Sequence, residues 1–474
     1  MLRSTLGTLA AAAGGFLAEG APELLATRIS TDTRTIAAGD LFWALDGPNF
    51  RGADFAHEAL RKGAMGVVCP LRPQDWPAGV PLILVQDTLA GLGDLARHWR
   101  DECGVHMAAL SGSSGKTTTR EMLAHLCRRH RRTHAMERNL NNLVGLPLTL
   151  LRLSPDDEVS VVELGMNRPG ELARLTRIAN PDVVLLTNIG NAHIGNFGSL
   201  DALIAGEAEV LETCDDDTTA VVNIDCPNVR VAVQRHRVPH DVVTFGLNSQ
   251  ADVRAERVEA VKPLGYRFQL VADGRSAPVE LRLFGRYQVY NALAAAAGAL
   301  LLGIDIDDVA AGFASFRPPQ MRAETEYLDG IFVIKDCYNA SPSAMREALR
   351  SSEDVVGPRR RIALLGQMGE LGDLSEPYHR EMGTAVAEAK FDLMVAFGPE
   401  ILPAVEEATA LGVPVVHFTS HEEMAEFLSR ELRQDDFLFV KGSRANQLER
   451  ALELLRAARA EVRNGTRAPQ MEQA

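Results

Sequence analysis

Short apolar runs alternate with amphipathic stretches along most of the chain, and their lengths predict strand–helix repeats. The clearest repeat opens at Met107, where an apolar run leads into Gly112-Ser113-Ser114-Gly115-Lys116-Thr117-Thr118. Beyond it, Met122, Leu123, Leu126 and Cys127 recur with the spacing of one helical face. Apolar runs at 159–164, 183–186 and 220–224 read as buried parallel strands. The alanine-rich stretch 292–302 predicts a helix. Later runs at 331–334, 362–365, 393–397, 413–417 and 437–440 predict strands with helices between them and after the last. The fold expected is α/β in three domains. A small α/β domain spans 1–104, a central P-loop-type domain with a mainly parallel sheet spans 105–316, and a Rossmann-like domain spans 317–474. The polar tail from about residue 464 predicts disorder.

Composition narrows this. A chain of 474 residues suits about three domains. A net charge of −14 argues against a nucleic-acid partner or an anionic membrane surface. The six cysteines are scattered without a C-x-x-C pair, which fits reduced thiols and a cytoplasmic protein. Residues 6–17 resemble a weak signal peptide, but Gly7, Gly14 and Gly15 interrupt them and no cleavage site follows, so a first domain helix is expected. No run of 18 apolar residues occurs, so no membrane insertion is expected.

The glycine loop carries the first chemical signal. Glycines permit unusual φ values and close approach, and a helix N-terminus attracts anions. Lys116 would neutralise phosphate charge and Thr117 would offer a hydroxyl to Mg²⁺. A glycine turn with a surface lysine has the same local pattern, since the loop has two residues between its glycines where the general motif has four. Ligands in open α/β sheets sit off the C-terminal strand ends. That places Glu163 and, beyond Thr187-Asn188, His193 facing the loop. Glu163 suits Mg²⁺ or a structural ion pair, and His193 a ligand role or a backbone contact. The asparagine cluster 139–142, Asn291 at the start of the alanine-rich helix, and the polar stretches 336–342 and 441–444 are further candidates. Ser30, Asp32 and Arg34 could hold a sugar diphosphate, and would serve equally as turn and capping residues. No G-x-G-x-x-G follows a strand, so a dinucleotide is not indicated.

Together these segments resemble the Mur ligases of peptidoglycan synthesis. The resemblance covers about residues 28–455. It rests most on Tyr338-Asn-Ala-Ser-Pro342, Leu365-Gly-Gln-Met-Gly-Glu-Leu-Gly372 and Lys441-Gly-Ser-Arg444, with the short Gly112–Thr117 loop, 139–147 and 187–193 in matching order. Within the family the pattern is nearest to the branch that joins D-alanyl-D-alanine to UDP-N-acetylmuramoyl-tripeptide. The resemblance implies an ATP-dependent amide ligase using Mg²⁺ and an acyl-phosphate intermediate, active as a monomer. It implies that Ser30, Asp32 and Arg34 bind the UDP end. Gly112–Thr118, Asn291, Arg322 and Asp336 would hold ATP, and Thr117, Glu163 and His193 the metal ions. Asn142, Asn339, Lys441 and Arg444 would meet substrate, and Lys116, Glu163, His193 and Glu207 would serve catalysis.

Position 207 departs from the family, where a lysine carbamylated by CO₂ is usual and its carbamate supports the second Mg²⁺. Glu207 is either a permanent carboxylate in its place or the mark of a degraded site. A free glutamate is charged near neutral pH, with a pKa of ~4.3. Tyr287-Gln288, Met321, Cys337 and Ser341 also replace usual family residues. A superfamily ligase with another acceptor and a nucleotide-binding regulatory paralogue are the competing readings.

Overall fold

The computed structural model describes residues 2–262, 264–355 and 359–463. The tail expected to be disordered lies outside them.

Among the described residues the strands form four sheets. The N-terminal region builds a five-stranded sheet in which Phe16–Glu19 runs antiparallel to Leu82–Leu84, followed by parallel Gly66–Cys69, Leu41–Trp43 and Ile29–Ser30. The pair Ser4–Thr5 and Leu25–Ala26 is separate. The expected first helix is short, Leu6–Ala12; the chain then turns at Gly14, with φ 69°, and continues as the strand Phe16–Glu19.

The central sheet has nine strands. Thr133–Ala135, Val159–Glu163, His106–Ser111, Val183–Leu186, Thr219–Asn223 and Asp241–Gly246 lie side by side and parallel. The interior strands Val159–Glu163 and Val183–Leu186 are buried along their whole length because helices cover both faces. The sheet goes on into an antiparallel meander, Val253–Ala260, Tyr266–Ala272 and Arg275–Leu281. These strands mix buried and exposed positions, so they carry no continuous apolar run for a sequence reading to find.

The C-terminal sheet runs Glu324–Leu328, Ile331–Asp336, Phe437–Lys441, Arg361–Gly366, Leu393–Phe397, Val415–Phe418, parallel except at the first pair. It docks on the central region. The Phe284 and Phe439 rings are both fully buried, with centroids 5.5 Å apart. Tyr266 Oη donates to Asp354 Oδ2 at 3.1 Å, and a Cβ on Gly195 would stand 2.7 Å from Gly372 N. All six cysteines are free thiols.

Candidate active site

The strand His106–Ser111 ends at the glycine loop, and the helix Lys116–Arg128 starts on it. Gly112 and Gly115 have φ 131° and 81°, which only glycine takes without strain. A Cβ at Gly115 would lie 2.3 Å from Asn291 Oδ1, so the loop and the helix Tyr287–Leu301 meet too closely for any side chain there. Gly115 is also the N-cap, and no side chain caps the helix. Its first-turn amides, with the positive end of the helix dipole, therefore face open space.

The next strand end fixes the loop. Asn188 Oδ1 accepts from Ser114 N–H at 3.1 Å and from Ser114 Oγ at 3.0 Å, and the Asn188 carbonyl accepts from Ser113 N–H at 2.9 Å. Thr187 Oγ1 donates to the Ser114 carbonyl at 2.8 Å. Lys116 Nζ donates to the Gly112 carbonyl. From beneath, Glu207 receives Ser111 Oγ at 3.0 Å and Ser113 Oγ at 3.4 Å, and is 2% exposed. Burial raises its pKa above the usual carboxylate range, opposed by the charge of Lys116, the Ser111 hydroxyl and His193.

Two cavities meet at this loop. One, of about 370 Å³, is lined by Ser114, Thr118, Tyr287, Tyr290, Asn291 and Lys441 among others. The Tyr287 hydroxyl and Arg322 Nε in its wall are buried with no hydrogen-bond partner. The second, of about 470 Å³, is lined by Asn139, Asn142, Glu163, His193 and Tyr338 among others. Ser113, Ser114, Gly115, Thr117, Arg322 and Asn339 line both.

In the second cavity Thr117 Oγ1 donates to Glu163 Oε2 at 2.9 Å, and Asn141 Nδ2 donates to Oε1 at 2.8 Å. Arg120, a buried base that sequence reading passed over, stands 3.5 Å from the same carboxylate. Glu163 thus holds a structural ion pair and still faces the cavity. Asn142 lines the cavity, but its Oδ1 caps the helix Gly145–Leu150 by accepting from Val144 and Gly145 N–H, so Asn141 is the asparagine that reaches Glu163. Among the described residues no cluster of three or more His, Cys, Asp or Glu groups could hold a metal ion. The Thr117 and Glu163 oxygens fit a Mg²⁺ ion that takes its other ligands from phosphate and water.

His193 has φ 61°, and its Nδ1 pairs with Glu370 of the C-terminal region. The hydrogen bond to His193 holds the Glu370 carboxyl below its usual pKa. Arg322 reaches across the same boundary, with Nη2 3.5 Å from Thr117 Oγ1. Asn291 donates to Gln288 Oε1 at 2.8 Å beside the nucleotide-sized cavity. Asp336 and Lys441, expected to touch ATP and substrate separately, are paired at 2.6 Å. Arg444 pairs with Glu449, in the first turn of the helix Leu448–Arg463, and lines neither cavity.

A third cavity, of about 470 Å³, lies at the N-terminal region beside Arg28, Ser30, Asp32 and Arg152. Arg34 does not line it but pairs with Asp32, which does, at 2.7 Å. That pairing lowers the Asp32 pKa to about 2.

Residues 110–299 match the Mur ligase middle domain, and residues 321–444 match the Mur ligase, glutamate ligase domain. The UDP-N-acetylmuramoyl-tripeptide–D-alanyl-D-alanine ligase of Bacillus subtilis is 31% identical over 89% of this chain and 91% of its own.

The chain belongs to the Mur ligases.

Another family member, the ligase of the same name from Escherichia coli, is 32% identical over 90% of this chain and 93% of its own. Among solved Mur ligase structures, MurF from Acinetobacter baumannii superposes with a TM-score of 0.88 at 31% identity, covering 96% of this chain and 99% of that one. MurF from Thermotoga maritima in complex with ADP gives 0.82 at 27% identity, covering 92% and 98%. Like other Mur ligases, the chain is an ATP-dependent ligase.

Proposed function

We propose that this chain joins D-alanyl-D-alanine to UDP-N-acetylmuramoyl-tripeptide at the expense of ATP, in peptidoglycan precursor synthesis. The observation that carries the reading is the pair of cavities sharing one phosphate loop. One suits the nucleotide and the other the carboxylate to be activated, with the γ-phosphate between them.

The chemistry follows from a poor electrophile. A carboxylate oxygen of the tripeptide attacks the γ-phosphate, forming an acyl phosphate and releasing ADP. The dipeptide amine attacks the acyl carbon, and the tetrahedral intermediate expels inorganic phosphate. Phosphoryl transfer needs positioning and charge stabilisation more than covalent help. Here the uncapped helix amides, Lys116 and Arg322 aim positive charge at the transferring group. Mg²⁺, held by Thr117 and Glu163, would neutralise phosphate charge. His193 and Glu370 would bring the C-terminal region onto the loop, excluding water from the acyl phosphate. The three regions take separate parts: 1–104 the UDP end, 105–316 ATP, and 317–474 the dipeptide. The cavity beside Ser30 is where the UDP end would lie. A monomer is taken as the working unit. No described helix is long and apolar enough to cross a membrane, and the nucleotide substrates belong to the cytoplasm, where we place the protein.

Phosphate release measured with Mg-ATP, the UDP-tripeptide and D-alanyl-D-alanine, omitting one at a time, tests the reading. Release that needs all three and yields a pentapeptide is expected. Release that ignores the dipeptide would overturn the acceptor assignment.

A further inference from the structure

Arg322 stands between two residues in an unfavourable backbone state. Met321 has φ 57° and Ala323 has φ 55°, left-handed values that a residue with a Cβ keeps only where its surroundings hold it. Several contacts do so. Ala323 N–H donates to Asp336 Oδ1 at 3.2 Å, and Lys441 Nζ donates to Asp336 Oδ2 at 2.6 Å. Tyr338 N–H donates to the Met321 carbonyl at 3.3 Å, and the Arg322 guanidinium lies 4.3 Å from the Tyr338 ring centroid.

Asp336 and Lys441 are register partners on adjacent parallel strands, so the sheet itself brings them together. Their side chains are 12% and 4% exposed. Lys441 uses a second donor on the Asn339 carbonyl at 3.3 Å. Lys441 thereby ties down Asn339, while Asp336 ties down the segment bearing Arg322. Those are the two C-terminal residues that line both cavities.

We infer that Asp336 and Lys441, which line the nucleotide cavity, are a positioning pair that presents Arg322 to the phosphate loop. The pair locks the 321–323 turn in its strained form, and the turn sends the guanidinium over Tyr338 toward Thr117. The inference rests on Arg322 serving the phosphates, as in the function proposed above.

A double-mutant cycle tests it. Asp336→Asn and Lys441→Met are each made alone and with Arg322→Ala, in the full chain. Each single change should lower kcat by about tenfold, the scale of coupling within one hydrogen-bond network, with KM for the dipeptide nearly unchanged. In the Arg322→Ala background the same changes should add less than about twofold. Losses that multiply in that background would overturn the inference, since Asp336 and Lys441 would then act independently of Arg322. Adding Ala323→Gly, which suits a left-handed φ, should restore part of the activity lost in Asp336→Asn; a general packing defect would not respond. Should Asp336→Asn fail to fold, the Lys441→Met arm decides. Binding of a non-hydrolysable ATP analogue repeats the cycle without turnover. An inactive wild-type chain would thus overturn the ligase reading while the cycle still decides the pair.

Discussion

Two stretches of this chain carry the polar residues of an anion site, and they use them in opposite ways. At Gly112–Thr118 neighbouring strand ends hold the loop, and the start of its helix is left free: the helix has no side-chain cap, and Arg322 Nε beside it has no partner. At Ser30–Arg34 the groups are spent on one another. Arg34 N–H and Nε–H both donate to Asp32 Oδ1, at 2.8 and 2.9 Å, and Ser30 Oγ donates to the Asp32 carbonyl at 3.1 Å. The first stretch is pre-organised by buried neighbours, while the second must exchange internal partners for ligand. A site built in advance serves the transition state, and one that rearranges serves binding.

The sharpest break of this comparison is Lys116→Met. The loop keeps its shape through Asn188 and Glu207 but loses its charge. Turnover should fall by roughly 10²–10³-fold, as when one electrostatic donor is removed, with the UDP-sugar KM little changed. A loss confined to KM would refute the pre-organised reading.

Glu207→Gln comes next. Gln keeps the shape but puts an amide nitrogen where a carboxyl oxygen accepts from Ser111 or Ser113. Steady-state assays should show a loss of roughly ten- to hundredfold, the usual cost of disturbing a supporting contact. Wild-type activity should ignore added bicarbonate, whereas Glu207→Lys, with the residue usual in the family, should respond to it. Full activity in Glu207→Gln would mean the buried carboxylate supports nothing.

What was legible in the sequence follows the same division. The loop, the four parallel strands around it and the strand-end residue Glu163 are local: an apolar run, a glycine pattern and a position after a strand suffice to find them, whereas the outer parallel strands Thr133–Ala135 and Asp241–Gly246 and the loop-holding role of Asn188 were missed. The tie between Asp336 and Lys441 depends on strand register across the C-terminal sheet, and that between His193 and Glu370 on docking of two regions. Neither leaves a mark in spacing. Asn141 and Asn142 are adjacent and identical in type, and only the turn into the following helix decides which one caps and which one reaches Glu163. Arg120 was missed because an arginine on a helix reads as solvent-facing until its burial is known.

Arg34→Ala probes the other side of the comparison. Its side chain is 86% exposed and already paired, so its removal costs the fold little. KM for the UDP-tripeptide should rise by about tenfold, one lost charge-assisted contact, with kcat unchanged. A fall in kcat would place Arg34 in the transition state and erase the contrast.

The smallest effect comes from strain that serves no site. Lys390 has φ 54° just past the helix Ser375–Glu388, exposed and lining none of the cavities described above. Phe391 N–H donates back to the Val386 carbonyl at 3.3 Å, and Phe391 is buried, which is the helix stop that favours glycine at the left-handed position. Lys390→Gly removes a left-handed penalty of about 1–3 kcal/mol and loosens the unfolded chain by about 0.4–1 kcal/mol. The net gain of about 1 kcal/mol should raise the midpoint of the C-terminal thermal transition with turnover untouched. The same strain flanks Arg322, where its release is expected to change catalysis. If Lys390→Gly slowed turnover as well, strained backbone would matter for this enzyme wherever it occurs, and its position beside the phosphate loop would carry no special meaning.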